Sequence, residues 1–137
     1  MSEAVKQVPV NQQDYPNPMA VHGMFGWCEL RTGDPAKAEA FFTSVLGWQT
    51  EAMEGAPGPY LVVKVAGMPV AGIAGGHDGQ PAWMPYVTVD DVDARIAAVR
   101  KAGGKVVTPA YDVPGVGRMA ELADPTGAHI CLIAYES

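Results

Sequence analysis

The side chains in this sequence that could do chemistry stand at alternate positions in short apolar runs. Trp27, Glu29 and Arg31 alternate in "GWCELR", Met84, Tyr86 and Thr88 in "WMPYVT", and His129 and Cys131 in "HICLIAY". Successive side chains of a β-strand point to opposite faces, so each set shares one face. Glu29 on a cleft-facing strand is either paired to a cation such as Arg31 or is a functional acid with a raised pKa. Glu121, in "RMAELADP", either enters the same cleft or bridges to Arg118. His129 reads as a satisfied structural histidine or as a base. Cys131 reads as a small buried hydrophobe or as a nucleophile, and nothing nearby in sequence would lower its pKa. A metal set of Glu29, Glu121 and His129 would need three atoms converging at about 2.1 Å. Trp27, Trp83 and Tyr86 suit an aromatic lining for a planar ligand, or an ordinary core. His22 and His77 lie in loop-like surroundings and are expected at the surface.

Composition limits what these groups can act on. A chain of 137 residues, 48% hydrophobic and 18% charged, is the size of one globular domain. Its net charge is −6 and its nine basic residues are scattered, which argues against nucleic acid and anionic membranes as partners. Small molecules and protein partners remain. Cys28 and Cys131 have no CxxC spacing, and two cysteines are too few for a disulfide scaffold, so a reducing cytoplasm is expected. No apolar run reaches the length of a membrane span. Residues 1–23 are polar, lack the features of a signal peptide, and are expected to form an arm or tail before the domain at 24–137.

The elements that must position the chemistry are written twice. "CELRTGDPAKAEAFFTSVLGW" and "YVTVDDVDARIAAVRKAGGKV" each read as a strand, an acidic helix start, an amphipathic helix, a glycine and a new strand. Asp34 maps to Asp91 and Gly47 to Gly104, both at an offset of 57 residues. Asp34 as N-cap and Pro35 at the first helical position open the first helix. Ala38, Phe41, Phe42, Val45 and Leu46 are expected to form its buried face. The second helix begins near Asp90 or Asp91, presents Val92, Ile96 and Val99, and stops at Gly103-Gly104. Three strands follow each helix, near 48–52, 60–65 and 69–74, then 105–111, 118–123 and 128–135, separated by Gly- and Pro-rich turns. The expected fold is α+β: two βαβββ modules, about 24–78 and 82–137, forming a curved eight-stranded mixed sheet around a cleft.

The paired modules, with "D-P-x-x-A-x-x-F-F-x-x-x-L-G-W" from Asp34 to Trp48 and "D-P-x-G" at Asp124–Gly127, resemble the vicinal oxygen chelate superfamily. That superfamily contains glyoxalase I, extradiol dioxygenases, methylmalonyl-CoA epimerase, and fosfomycin and bleomycin resistance proteins. The stretches Trp83–Asp93 and Asp112–Arg118 look more specifically like its single-domain glyoxalase-like members. The resemblance implies a homodimer. It also implies inward-facing His, Gln or Glu ligands for a divalent metal, and their positions here hold Trp27, Met84 (or Trp83), Cys131 and a residue near Gly72. Those are poor ligands for a hard metal.

Two functions follow. In one, the chain binds a small organic ligand in the cleft without a metal or other cofactor, as bleomycin resistance proteins do, through Trp27, Glu29, Met84, Tyr86, Glu121, His129 and Cys131. In the alternative, it is a metal-dependent lyase, isomerase or dioxygenase with a non-standard ligand set. A purely structural or interaction domain would require the cleft to be filled by its own aromatics.

Overall fold

The computed structural model describes residues 17–56 and 58–136. Ten elements follow in chain order: β1 (Phe25–Arg31), α1 (Pro35–Leu46), β2 (Gln49–Ala52), β3 (Tyr60–Val65), β4 (Met68–Ala74), β5 (Ala82–Thr88), α2 (Val92–Lys101), β6 (Lys105–Val113), β7 (Gly117–Ala123) and β8 (His129–Tyr135). This is βαβββ written twice, as the repeat requires. The strands form one eight-stranded mixed sheet in the order β2-β3-β4-β1-β5-β8-β7-β6. Each module supplies a four-stranded half, and the halves join within one chain through the antiparallel pair β1–β5. Within each half one pair is parallel, β1 with β4 and β5 with β8.

Both helices begin as their sequences dictate. The Asp34 carboxylate accepts a hydrogen bond from the Lys37 amide, Asp91 accepts one from Ala94, and Pro35 occupies the first turn of α1. Gly47 closes α1 in the left-handed region, at φ 69°, where a side chain would be strained. The helices cover one face of the sheet. Val92 and Ile96 of α2 pack on Val89, Ala120 and Leu132, and α1 packs on Leu30, Val63, Ala71 and Ile73.

The buried face of α1 is narrower than its sequence pattern suggests. Ala38 and Phe42 pack on the sheet, whereas Phe41, Val45 and Leu46 are 58%, 60% and 54% exposed. Phe42 instead joins an aromatic group, stacked on Trp48 with ring centres 5.1 Å apart and edge-on to Trp83 at 5.6 Å. Trp83 therefore lies on the helix side of the sheet, and the expectation that it lines the cleft is corrected. The register explains why: Trp83 is paired with Leu30, one residue out of phase with the Tyr86–Trp27 pair.

The expected N-terminal arm falls mainly outside the described residues. Its described end, 17–23, runs against β5, where the Pro18 carbonyl accepts from the Thr88 hydroxyl at 2.6 Å. Among the described residues no helix is long and apolar enough to cross a membrane.

The two phenylalanines provide a test of this packing. Phe42→Ala is expected to cost about 3–4 kcal/mol, the lower part of the range for losing a buried ring. Phe41→Ala should cost less than about 1 kcal/mol, as a mostly exposed side chain does. Denaturant melts of the two variants check the assignment, and equal losses would contradict it.

Candidate functional site: an arginine held between two carboxylates

The face of the sheet away from the helices encloses a cavity of about 600 Å³. Its walls come from both ends of the sheet, with Tyr60 and Val62 on β3 and Thr108, Tyr111 and Val113 on β6. Strands that lie so far apart in sheet order can share a cavity only because the sheet curls. Aromatic and apolar side chains dominate, among them Trp27, Tyr60, Tyr86, Met119, Ile133 and Tyr135, and Met19 contributes from the segment before β1. The aromatics do not fill the cleft.

At its floor lies an ionic centre. Arg31 reaches Glu29 through Nε (3.1 Å) and Glu121 through Nη1 (2.7 Å). Its Nη2 donates to the Tyr86 hydroxyl and the Cys131 sulfur, both at 3.2 Å. Tyr86 in turn donates to Glu29 at 2.9 Å. The second oxygen of Glu121 lies 2.8 Å from His129 Nδ1. The alternation of β1 puts Glu29 and Arg31 on one face, and the sheet brings β5, β7 and β8 beside them.

These contacts set the charges. Burial disfavours the Arg31 cation, but hydrogen bonds to Glu121 and Tyr86 outweigh that and hold its pKa above the ordinary value. Burial likewise works to raise Glu121, yet His129 and Arg31 hold its carboxyl below the usual range. Burial, reinforced by Glu29, raises Tyr86, so its phenol stays neutral. The Cys131 thiol is pushed up to about 11, chiefly by burial, with Arg31 opposing. A thiol in that state is a poor nucleophile near neutral pH.

Trp27, Glu29, Tyr86 and Glu121 line the cleft. Met84 and Cys131 lie beneath its surface in a cluster with Tyr86 and Ile133, the thiol residue being only 2% exposed. His129 is at the outer edge and reaches the centre only through Glu121. The bridge from Glu121 to Arg118 is not formed. Arg118 binds Asp93 and Asp112 on the other face, and Arg31 takes Glu121 instead. Among the described residues, no group of three His, Cys, Asp or Glu converges as a metal site.

Sequence reasoning missed Tyr60. Its hydroxyl accepts from Trp27 Nε1 at 2.9 Å. The ring crosses β4 where Gly72 stands, and a Cβ on Gly72 would fall 1.9 Å from the Tyr60 oxygen. A glycine inside a strand is the signal that could have found it, because such a residue often marks a close approach. Tyr135 was also missed. Its hydroxyl is buried and has no hydrogen-bond partner among the described residues.

Comparison with known proteins follows this geometry. Residues 27–133 match the model of the glyoxalase-like domain. The chain belongs to that family. It is 39% identical over 117 residues to "Putative glyoxylase CFP32" of Mycobacterium tuberculosis, and 36% identical over 123 residues to "Anthracycline biosynthesis protein DnrV" of Streptomyces peucetius. The alignments cover 80% and 77% of this chain but 45% of each relative, so the glyoxalase-like chain spans about half their length. Among solved structures, methylmalonyl-CoA epimerase from Mycobacterium tuberculosis aligns with a TM-score of 0.56 at 18% identity, covering 81% of this chain and 87% of that one. A variant of homoprotocatechuate 2,3-dioxygenase from B. fuscum aligns at 0.60 and 19%, covering 89% and 36%. At these identities the structural likeness establishes the fold alone.

The ionic centre makes two predictions. Because the folded pKa of Glu121 is depressed, its stabilising contribution is complete above about pH 4.5, its ordinary value, and disappears as pH falls through the lower folded value. The urea midpoints of wild type and Glu121→Gln should therefore differ at pH 7 and converge toward pH 3. Second, Cys131 should be alkylated slowly by iodoacetamide in the native protein at pH 7 and readily after unfolding. Fast native labelling would mark a thiolate.

Proposed function

We propose that this glyoxalase-like chain binds a small planar organic molecule in the cleft without a divalent metal. The observation that carries the proposal is the Arg31 guanidinium held between Glu29 and Glu121. The residues at the superfamily's metal positions do not fit a metal. Trp27 and Met84 offer no suitable donor, Gly72 lies under the Tyr60 ring, and the Cys131 thiol is protonated. A dication beside Arg31 would also meet a charge of its own sign at close range, which is costly where water is scarce. The guanidinium supplies the fixed cation instead. The apolar walls give affinity, while the Glu29 and Glu121 carboxylates beside Arg31 offer polar groups that orient the ligand.

The relatives support a planar ligand. One is named for anthracycline biosynthesis, and anthracyclines are polycyclic aromatic compounds. The cleft volume falls within the usual range for drug-sized molecules. We place the protein in a reducing cytoplasm, consistent with two free cysteines, and infer a homodimer from the superfamily resemblance.

Tryptophan fluorescence tests the proposal, because Trp27 faces the cleft while Trp48 and Trp83 pack together on the helix side. Titration with 1,4-dihydroxyanthraquinone should give saturable quenching that is largely lost in Trp27→Phe, and should slow Cys131 labelling further. No saturable change with planar aromatics would count against ligand binding. Elemental analysis of the dialysed protein should find no stoichiometric divalent ion. Close to one Zn, Ni, Fe or Mn per chain would overturn the metal-free reading and revive the lyase, isomerase or dioxygenase alternative.

A further inference from the structure

We propose that the cleft selects ligands by charge, taking a planar aromatic molecule that carries one protonated amine and rejecting carboxylates. The inference rests on the cleft-binding reading above. Among the described residues, the carboxylates and cations on the cleft wall, histidine aside, are Glu29, Glu121 and Arg31, so two carboxylates face one guanidinium. No lysine among the described residues lines it.

The guanidinium on this wall is already committed. Arg31 donates to Glu29, Glu121, Tyr86 and Cys131. An incoming carboxylate would have to displace one of these partners and would leave a Glu carboxylate unpaired in a poorly hydrated site, a costly arrangement. The remaining groups add no positive charge. Tyr60, Tyr86, Tyr111 and Tyr135 all have pKa values raised by burial, and Cys131 is a protonated thiol below the surface. His129 lies outside the wall, against Glu121.

An ammonium meets the opposite situation. Each carboxylate has about four acceptor sites, and the contacts to Arg31, Tyr86 and His129 leave capacity on both Glu29 and Glu121. Its charge brings the excess negative charge toward zero. The faces of Trp27, Tyr60 and Tyr86 provide the aromatic surroundings that favour a cation over an anion. Together these features describe a flat apolar body with an amine at the Glu29 end.

Three probes of one shape read the charge preference: 2-naphthylmethylamine, 2-naphthalenemethanol and 2-naphthoate, titrated calorimetrically into the full chain at pH 7. The amine should bind tightest and the carboxylate weakest, with a gap of about tenfold or more, the scale of one charge-assisted contact. Glu29→Gln should shrink that gap. Since this change also touches Arg31, Thr108→Lys serves as a second variant. It adds a cation to the wall from β6 and should weaken the amine while strengthening the carboxylate. A carboxylate that binds as tightly as the amine overturns the charge preference and leaves the cleft-binding reading standing. Heat from none of the three probes overturns both.

Discussion

The contact between Arg31 and its two carboxylates is the constraint around which this structure is organised. Glu29 and Arg31 belong to the first module, and Tyr86, Glu121 and Cys131 to the second. The guanidinium thus fastens the two halves of the sheet across the β1–β5 seam and also sets the charge of the cleft floor. Burying three charges is expensive, and mutual attraction repays the cost only when the donors and acceptors are nearly all used. On the guanidinium the donors are used, by two carboxylates, a phenol and a thiol. The cost of losing Arg31 would therefore fall on its partners, since two carboxylates would be left close together with no counter-ion.

The same centre accounts for the rest of the cleft. The repeat sets inward strand positions of the two modules side by side. Trp27 and Tyr86 stand opposite each other across the seam, as do Glu29 and Met84. Gly72 is opposite Glu29 on β4, and Cys131 is opposite Tyr86 on β8. The small residues Gly72 and Cys131 leave room, one for the Tyr60 ring and the other for the Arg31 guanidinium.

Much of this was legible in the residues. The repeat, the aspartate caps, the glycine stops and the strand alternation specify local structure directly, so the βαβββ pattern and the inward set of β1 follow without tertiary information. The misreadings arose where tertiary fit decides. Periodicity marks the stripe Ala38, Phe41, Phe42, Val45 and Leu46, but how much of it the sheet covers depends on the width of the surface beneath. Aromatic type groups Trp83 with Trp27 and Tyr86 as a lining, whereas alternation with Met84 and Tyr86 points it to the other face. Arg31 was visible as a neighbour of Glu29, yet its partners lie 90 and 100 residues away in the chain. No local pattern carries such a pairing.

The cleft stays open because its aromatics are held by polar ends and cannot collapse inward. The Tyr60 hydroxyl is tied to Trp27, and the Tyr86 hydroxyl lies between Glu29 and Arg31. A core made only of hydrophobes would close over such a space, since unfilled apolar volume forfeits dispersion contacts and is destabilising. Here closure would break hydrogen bonds to buried groups, and each such loss costs more than a neutral contact gains. These ties leave a standing cavity with apolar walls and a charged floor.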